Sequence, residues 1–228
     1  MDQMGEGSNT TAPQRYRTYR LREPFSAGSH LFGAFAALIG LVYLLWSCDG
    51  TSSRIAVSLI YGLGLVMLLL ISGLFHGLNC SKDWLCTLER LDYAAIYFSI
   101  AATYTPVCLF VLPQPLGIWL LSGEWLLALV GMWLAMSRGP AGRNAQVVIF
   151  LIMGWAFVIA LPSLLKLLAP LPFNLLILGG AFYSIGAVIF ALDCQNIFRT
   201  RLSGHDFWHL LVLLGSASHY GFVFYVLN

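Results

Sequence analysis

"IAVSLIYGLGLVMLLLISGLFHGL", residues 55–78, runs without a single Asp, Glu, Lys or Arg. A helix needs roughly 20 mostly apolar residues to cross the hydrocarbon core of a bilayer, and this run is long enough. It reads as a transmembrane span. The composition of the whole chain agrees. Of its 228 residues, 59% are hydrophobic and only 10% charged, whereas a soluble domain carries about 25% charged residues. Mean hydropathy is +0.79. Such a chain cannot cover a water-facing surface, so it reads as an integral membrane protein. Its net charge of +2, with no basic stripe, gives no footing for a nucleic-acid partner.

Working outward from that run gives seven spans, at approximately 28–47, 55–78, 92–112, 116–136, 145–165, 173–192 and 206–227. The breaks between them carry turn residues or charge: "SCDGTSSR", "NCSKDWLCTLER", "LPQPLG", "SRGPAGRN", "LAPLP" and "DCQNIFRTRLSG". The predicted fold is an all-α, seven-helix membrane bundle over residues 23–228. Residues 1–22 are polar at first and lack periodicity or an apolar stretch, and they read as a disordered tail, not a signal peptide. Seven spans put the two ends on opposite sides. Ten of the 12 Lys and Arg residues fall on the N-terminal side, leaving Arg54 and Lys166 on the other. The expected orientation has the N-terminus in the cytoplasm and the C-terminus outside.

Smaller features have plain readings. Cys48, Cys80, Cys86, Cys108 and Cys194 form no CxxC pair and read as buried or interfacial thiols. Trp46, Trp84, Trp119 and Trp208, near span ends, read as interface anchors. "YGLGL" permits close helix packing.

Ionisable groups within spans are expensive and mark functional candidates. The predicted orientation brings several to one depth. Ser72 and His76, four apart, share a face at the end of the second span. Asp92 opens the third. His205 and His209, again four apart, lie in the first turns of the seventh. Glu23, Ser26 and His30 occupy the same level at the start of the first. Two imidazoles one helical turn apart can hold a metal. With His76 as third ligand the set has the make-up of a catalytic zinc site, which keeps one position for water. Asp92 and Ser72 then become candidates for handling a proton and orienting the water. Other readings of each residue stand beside these: interhelical hydrogen bonding for the histidines, a helix N-terminal carboxylate for Asp92, a packing hydroxyl for Ser72. Asp206 reads as a cap. His219, about ten residues and so roughly 15 Å beyond His209, is too distant to share an ion and reads as a buried hydrogen-bonding group. His30 reads as an interhelical partner.

These residues resemble the haemolysin III and PAQR (progestin and adipoQ receptor) family. "SGLFHGLNCSKDWLCTLERLDYAAIYFSIAATYTPVCLF" is similar to its Ser-x-x-x-His…Asp signature and "HDFWHLLVLLGSASHY" to its His-x-x-x-His signature. "EPFSAGSH" resembles the family's Glu-x-x-Asn-x-x-x-His element, with Ser26 in place of Asn. "ATYTP" and the histidine at 219 match the compact bacterial branch. The resemblance implies Zn2+ held by His76, His205 and His209, with Asp92 and Ser72 alongside. It also implies a ceramidase-like hydrolase acting on lipid amides or esters, a link to membrane lipid homeostasis, and a place in the bacterial inner membrane. Three functions remain open from the sequence: a zinc-dependent lipid hydrolase, a zinc-stabilised sensor or receptor without turnover, and, least favoured, a pore. The partners expected are membrane lipids.

Overall fold

A computed structural model describes residues 21–138, 143–192 and 203–228. The polar tail over 1–20, the Gly-Pro break at 139–142 and the segment 193–202 with Cys194, Arg199 and Arg201 lie outside the described residues. The helices are α1 (Pro24–Ser47), α2 (Ser52–Gly77), α3 (Lys82–Phe110), α4 (Leu116–Arg138), α5 (Arg143–Trp155), α6 (Leu161–Leu167), α7 (Pro170–Ala191) and α8 (Gly204–Leu227), with a 3₁₀ segment Ala156–Ala160 joining α5 to α6. There is no strand among the described residues. Seven helical units are long and apolar enough to span a bilayer, the fifth being Ala145–Leu167. The chain is an all-α, multi-pass integral membrane protein.

Neighbours in sequence pack as neighbours in space: α1 on α2, α2 on α3, α3 on α4 and α7 on α8. α8 also touches α1, α2 and α3, which makes it the hub of the bundle. The glycines of "YGLGL" serve this packing inside the chain. A Cβ on Gly62 would sit 2.5 Å from Leu41 of α1, and one on Gly64 would sit 3.1 Å from Ala102 and Phe98 of α3. Close helix approach, which drives association where lipid removes the hydrophobic gain, depends on such small residues.

Three sequence expectations need correction. First, α3 starts at Lys82, ten residues before the expected span, so most of "NCSKDWLCTLER" is helix. The Ser81 hydroxyl caps its start by accepting from the Trp84 N–H, and Asp83 sits in its first turn, where the helix dipole favours an acid. The charges in these turns lowered the hydropathy without lowering helix propensity. Asp92 therefore lies in the third turn of α3 and is no N-terminal dipole partner. Second, the fifth span is broken. Pro162 has no N–H to give to the preceding turn, and 156–160 tighten into 3₁₀ geometry. The Tyr104 hydroxyl, from "ATYTP", stabilises the break. It accepts from Phe157 N–H at 2.9 Å and lies 2.8 Å from the Met153 carbonyl and 3.1 Å from that of Gly154. Third, Trp46, Trp84 and Trp119 are exposed as anchors would be, but Trp208 turns inward and stacks on Phe190, ring centroids 5.3 Å apart.

The far end of the bundle is tied differently. Arg54 pairs with Asp49 at 3.2 Å, donates to the last carbonyls of α8 (Val226 and Leu227), and lies over the Phe110 ring. A cation at a helix C-terminus is favoured by the dipole and by the unpaired carbonyls there.

Candidate metal centre

The site is built from the ends of helices. Ser203 and Asp206 form a capping box at the start of α8: the Ser203 hydroxyl accepts from the Asp206 N–H, and the Asp206 carboxylate accepts from the Ser203 N–H at 2.9 Å. That fixes the first turn, and with it the shared face of His205 and His209. Asp206 thus caps, as expected, and also accepts from the Ser26 hydroxyl of α1 at 3.0 Å. His76 occupies the last turn of α2. The free carbonyls of that turn are met from outside the helix: Arg22 N–H donates to Gly77 and Glu23 N–H to His76.

These elements bring His76, His205 and His209 together, with one ligand nitrogen from each lying within 4.8 Å of the others. His76 and His209 are buried and His205 is partly exposed. The Nε2 atoms of His205 and His209 face each other at 2.9 Å. On its other side, His209 Nδ1 meets His30 Nε2 at 3.0 Å, and the same His30 nitrogen lies 3.3 Å from the His209 carbonyl. His30 is thus an interhelical partner. His76 Nδ1 meets the Glu23 carboxylate at 2.7 Å. Glu23 just before α1, and Ser26 and His30 within it, each touch the His76 or α8 end of the site.

Asp92 lines the same cavity, beside Glu89, Tyr93 and Phe75. The Ser72 hydroxyl bonds to the Asp92 carboxylate across the α2–α3 interface. The structure thus brings every predicted site residue to one cavity wall or to a direct neighbour of it. His219 stands apart, with Nε2 donating to the Leu176 carbonyl at 3.2 Å and the ring against Tyr183.

One contact and one residue escaped sequence reasoning. The contact of Glu23 with His76 is tertiary, and only the family's Glu-x-x-Asn element hinted at it. Glu124 carried a plainer signal, an acid in the middle of the apolar fourth span. It is 1% exposed and neither carboxyl oxygen has a hydrogen-bond partner. It sits in the third turn of α4.

The polar cavity does not end at the histidines. Ile96, Phe150 and Trp208 line both it and a second, almost wholly apolar cavity of about 120 Å³. That cavity runs between α3, the broken fifth span, α7 and α8 as far as Leu112, Leu164 and Leu176.

Comparison with known sequences matches most of the chain to one family. The sequence model of a family described as haemolysin-III related matches residues 18–220. Hemolysin-3 of Bacillus cereus is 36% identical over 206 residues, 89% of this chain and 90% of that protein. The Hemolysin-3 homolog of Bacillus subtilis is 33% identical over 195 residues, 85% and 88% of the two chains. The human Monocyte to macrophage differentiation factor is 28% identical over 215 residues, 90% of this chain and 84% of that one.

Proposed function

The chain belongs to the haemolysin-III-related family, and from that premise we propose that it is a zinc-dependent hydrolase of lipid amides or esters, working in the plasma membrane on its cytoplasmic side. The observation that carries the reading is the junction of the two cavities. A lipid whose apolar chain lies between α3, α7 and α8 presents its carbonyl, past Ile96 and Trp208, at the histidines.

The donor set fits zinc: three imidazole nitrogens converge, the outer nitrogens of His76 and His209 are engaged by Glu23 and His30, and there is room on the Asp92 side. His76, His205 and His209 would hold the ion. When bound, it supplies Lewis acidity and makes water ionisable near neutral pH. Asp92 takes the proton of the attacking water at its carboxylate, with Ser72 holding that carboxylate in place. The water oxygen bonds to the carbonyl carbon, and the C–N or C–O bond breaks. Asp92 returns the proton to the departing nitrogen or oxygen.

The test is fatty-acid release from amide- and ester-linked lipids by the protein in lipid vesicles. Release that His205→Ala and Asp92→Asn abolish supports the reading. Undiminished release from a metal-free protein contradicts it. A second reading, a zinc-stabilised sensor without turnover, is favoured by the tying of α1, α2 and α8 through the site. It expects no product from any lipid and a lower melting temperature in the histidine variants.

A further inference from the structure

The dipeptide Arg22–Glu23 precedes α1 and is fastened to the end of α2 more tightly than a connecting segment requires. Two backbone bonds staple it there, Arg22 N–H to Gly77 at 3.3 Å and Glu23 N–H to His76 at 3.0 Å. The Arg22 guanidinium donates to the Phe75 carbonyl at 2.7 Å and lies 4.6 Å from the Phe75 ring centroid. The same guanidinium lies in ion-pair range of Glu23 Oε1, at 3.3 Å. That leaves Oε2 pointing at His76 Nδ1, 2.7 Å away, a distance typical of a charge-assisted hydrogen bond.

We infer that Glu23 is a positioning residue for the metal: it accepts the Nδ1–H of His76, fixes that ring's tautomer, and leaves Nε2 as the ligand atom. This rests on the zinc reading above. The chemistry is that of a carboxylate–histidine–metal triad, in which the outer carboxylate orients the imidazole and raises its basicity. Glu23 is better placed for this than as a ligand. Its Oε2 is engaged by His76 Nδ1 at 2.7 Å, and its Oε1 faces the Arg22 guanidinium at 3.3 Å. His209 has an imidazole, His30, at the equivalent outer position, and His76 has a carboxylate, Glu23, in direct contact. Loss of such an outer partner costs about 10–100-fold in metal affinity.

The experiment is zinc titration of metal-stripped full-length protein in detergent against a chromophoric chelator, with cobalt absorption as a second readout. Glu23→Gln and Glu23→Ala are predicted to weaken zinc binding by about 10–100-fold while the cobalt spectrum keeps the form and intensity of the parent. Asp49→Asn, an equal change of charge at the far end, leaves the affinity at the parent value. Zinc affinity unchanged in both Glu23 variants overturns the inference. So does a cobalt spectrum that changes coordination in both, because Glu23 would then be a ligand. A parent protein that takes up no zinc overturns the zinc reading and this inference together, whereas a zinc-binding parent with indifferent Glu23 variants overturns the inference alone.

Discussion

The two cavities share three wall residues and little else. The polar one is ringed by groups that hold each other across helices: Glu23 on His76, His30 on His209, Ser72 on Asp92. The apolar one is walled mostly by aliphatic and aromatic side chains, and several of its polar members are engaged, as Ser184 is by the Trp155 indole N–H at 2.9 Å. The difference separates two tasks. A polar group buried in lipid must find a partner or carry a large penalty, so a chemically competent end has to be built as a network. A chain-holding end needs only shape, because lipid tails are as apolar as its walls.

The largest effect expected from breaking this division is loss of the metal. His209→Ala removes a buried ligand and abolishes both zinc uptake and lipid hydrolysis, which elemental analysis and fatty-acid release will show. Asp92→Asn leaves zinc in place and lowers turnover by about 10²–10⁴-fold, the usual contribution of a positioned base. Single-turnover kinetics on the zinc-loaded variant measures it. On the apolar side, Gly180 lines the cavity and a Cβ there meets nothing within 4 Å. Gly180→Phe should lower the specificity constant for long-chain substrates and spare short-chain ones, with zinc content unchanged. The smallest effect is on stability. Tyr104→Phe leaves the Phe157 N–H without its partner beside the apolar cavity, at a cost of about 1–3 kcal/mol. A fall of several degrees in melting temperature is expected, with zinc affinity unaltered.

The sequence displays the apolar end better in outline and the polar end better in detail. Seven spans follow from hydropathy because a bilayer imposes length and composition on each helix separately. His76, Ser72, Asp92, His205 and His209 follow from helical spacing once the spans are aligned in depth. What escapes depends on contacts between helices. The break in the fifth span is stabilised by Tyr104 from α3, and local hydropathy carries no trace of it. Trp208 looks like an anchor by position, yet its neighbour Phe190 on α7 draws it inside. The first turns of α3 look like a loop because Lys82, Asp83, Glu89 and Arg90 dilute the hydropathy, although a capped helix accommodates them. The role of Glu23 is set by residues more than 50 positions away. Glu124 is the different case: its signal was local and legible, and its lack of a partner is visible only in three dimensions.

The central claim is that three histidines from two helices distant in sequence hold one zinc ion. The most direct measurement is the zinc content of the protein purified without added metal, beside the His209→Ala variant. The account predicts stoichiometric zinc in the parent and none in the variant. A folded parent without zinc, or a variant with the same zinc content, contradicts it.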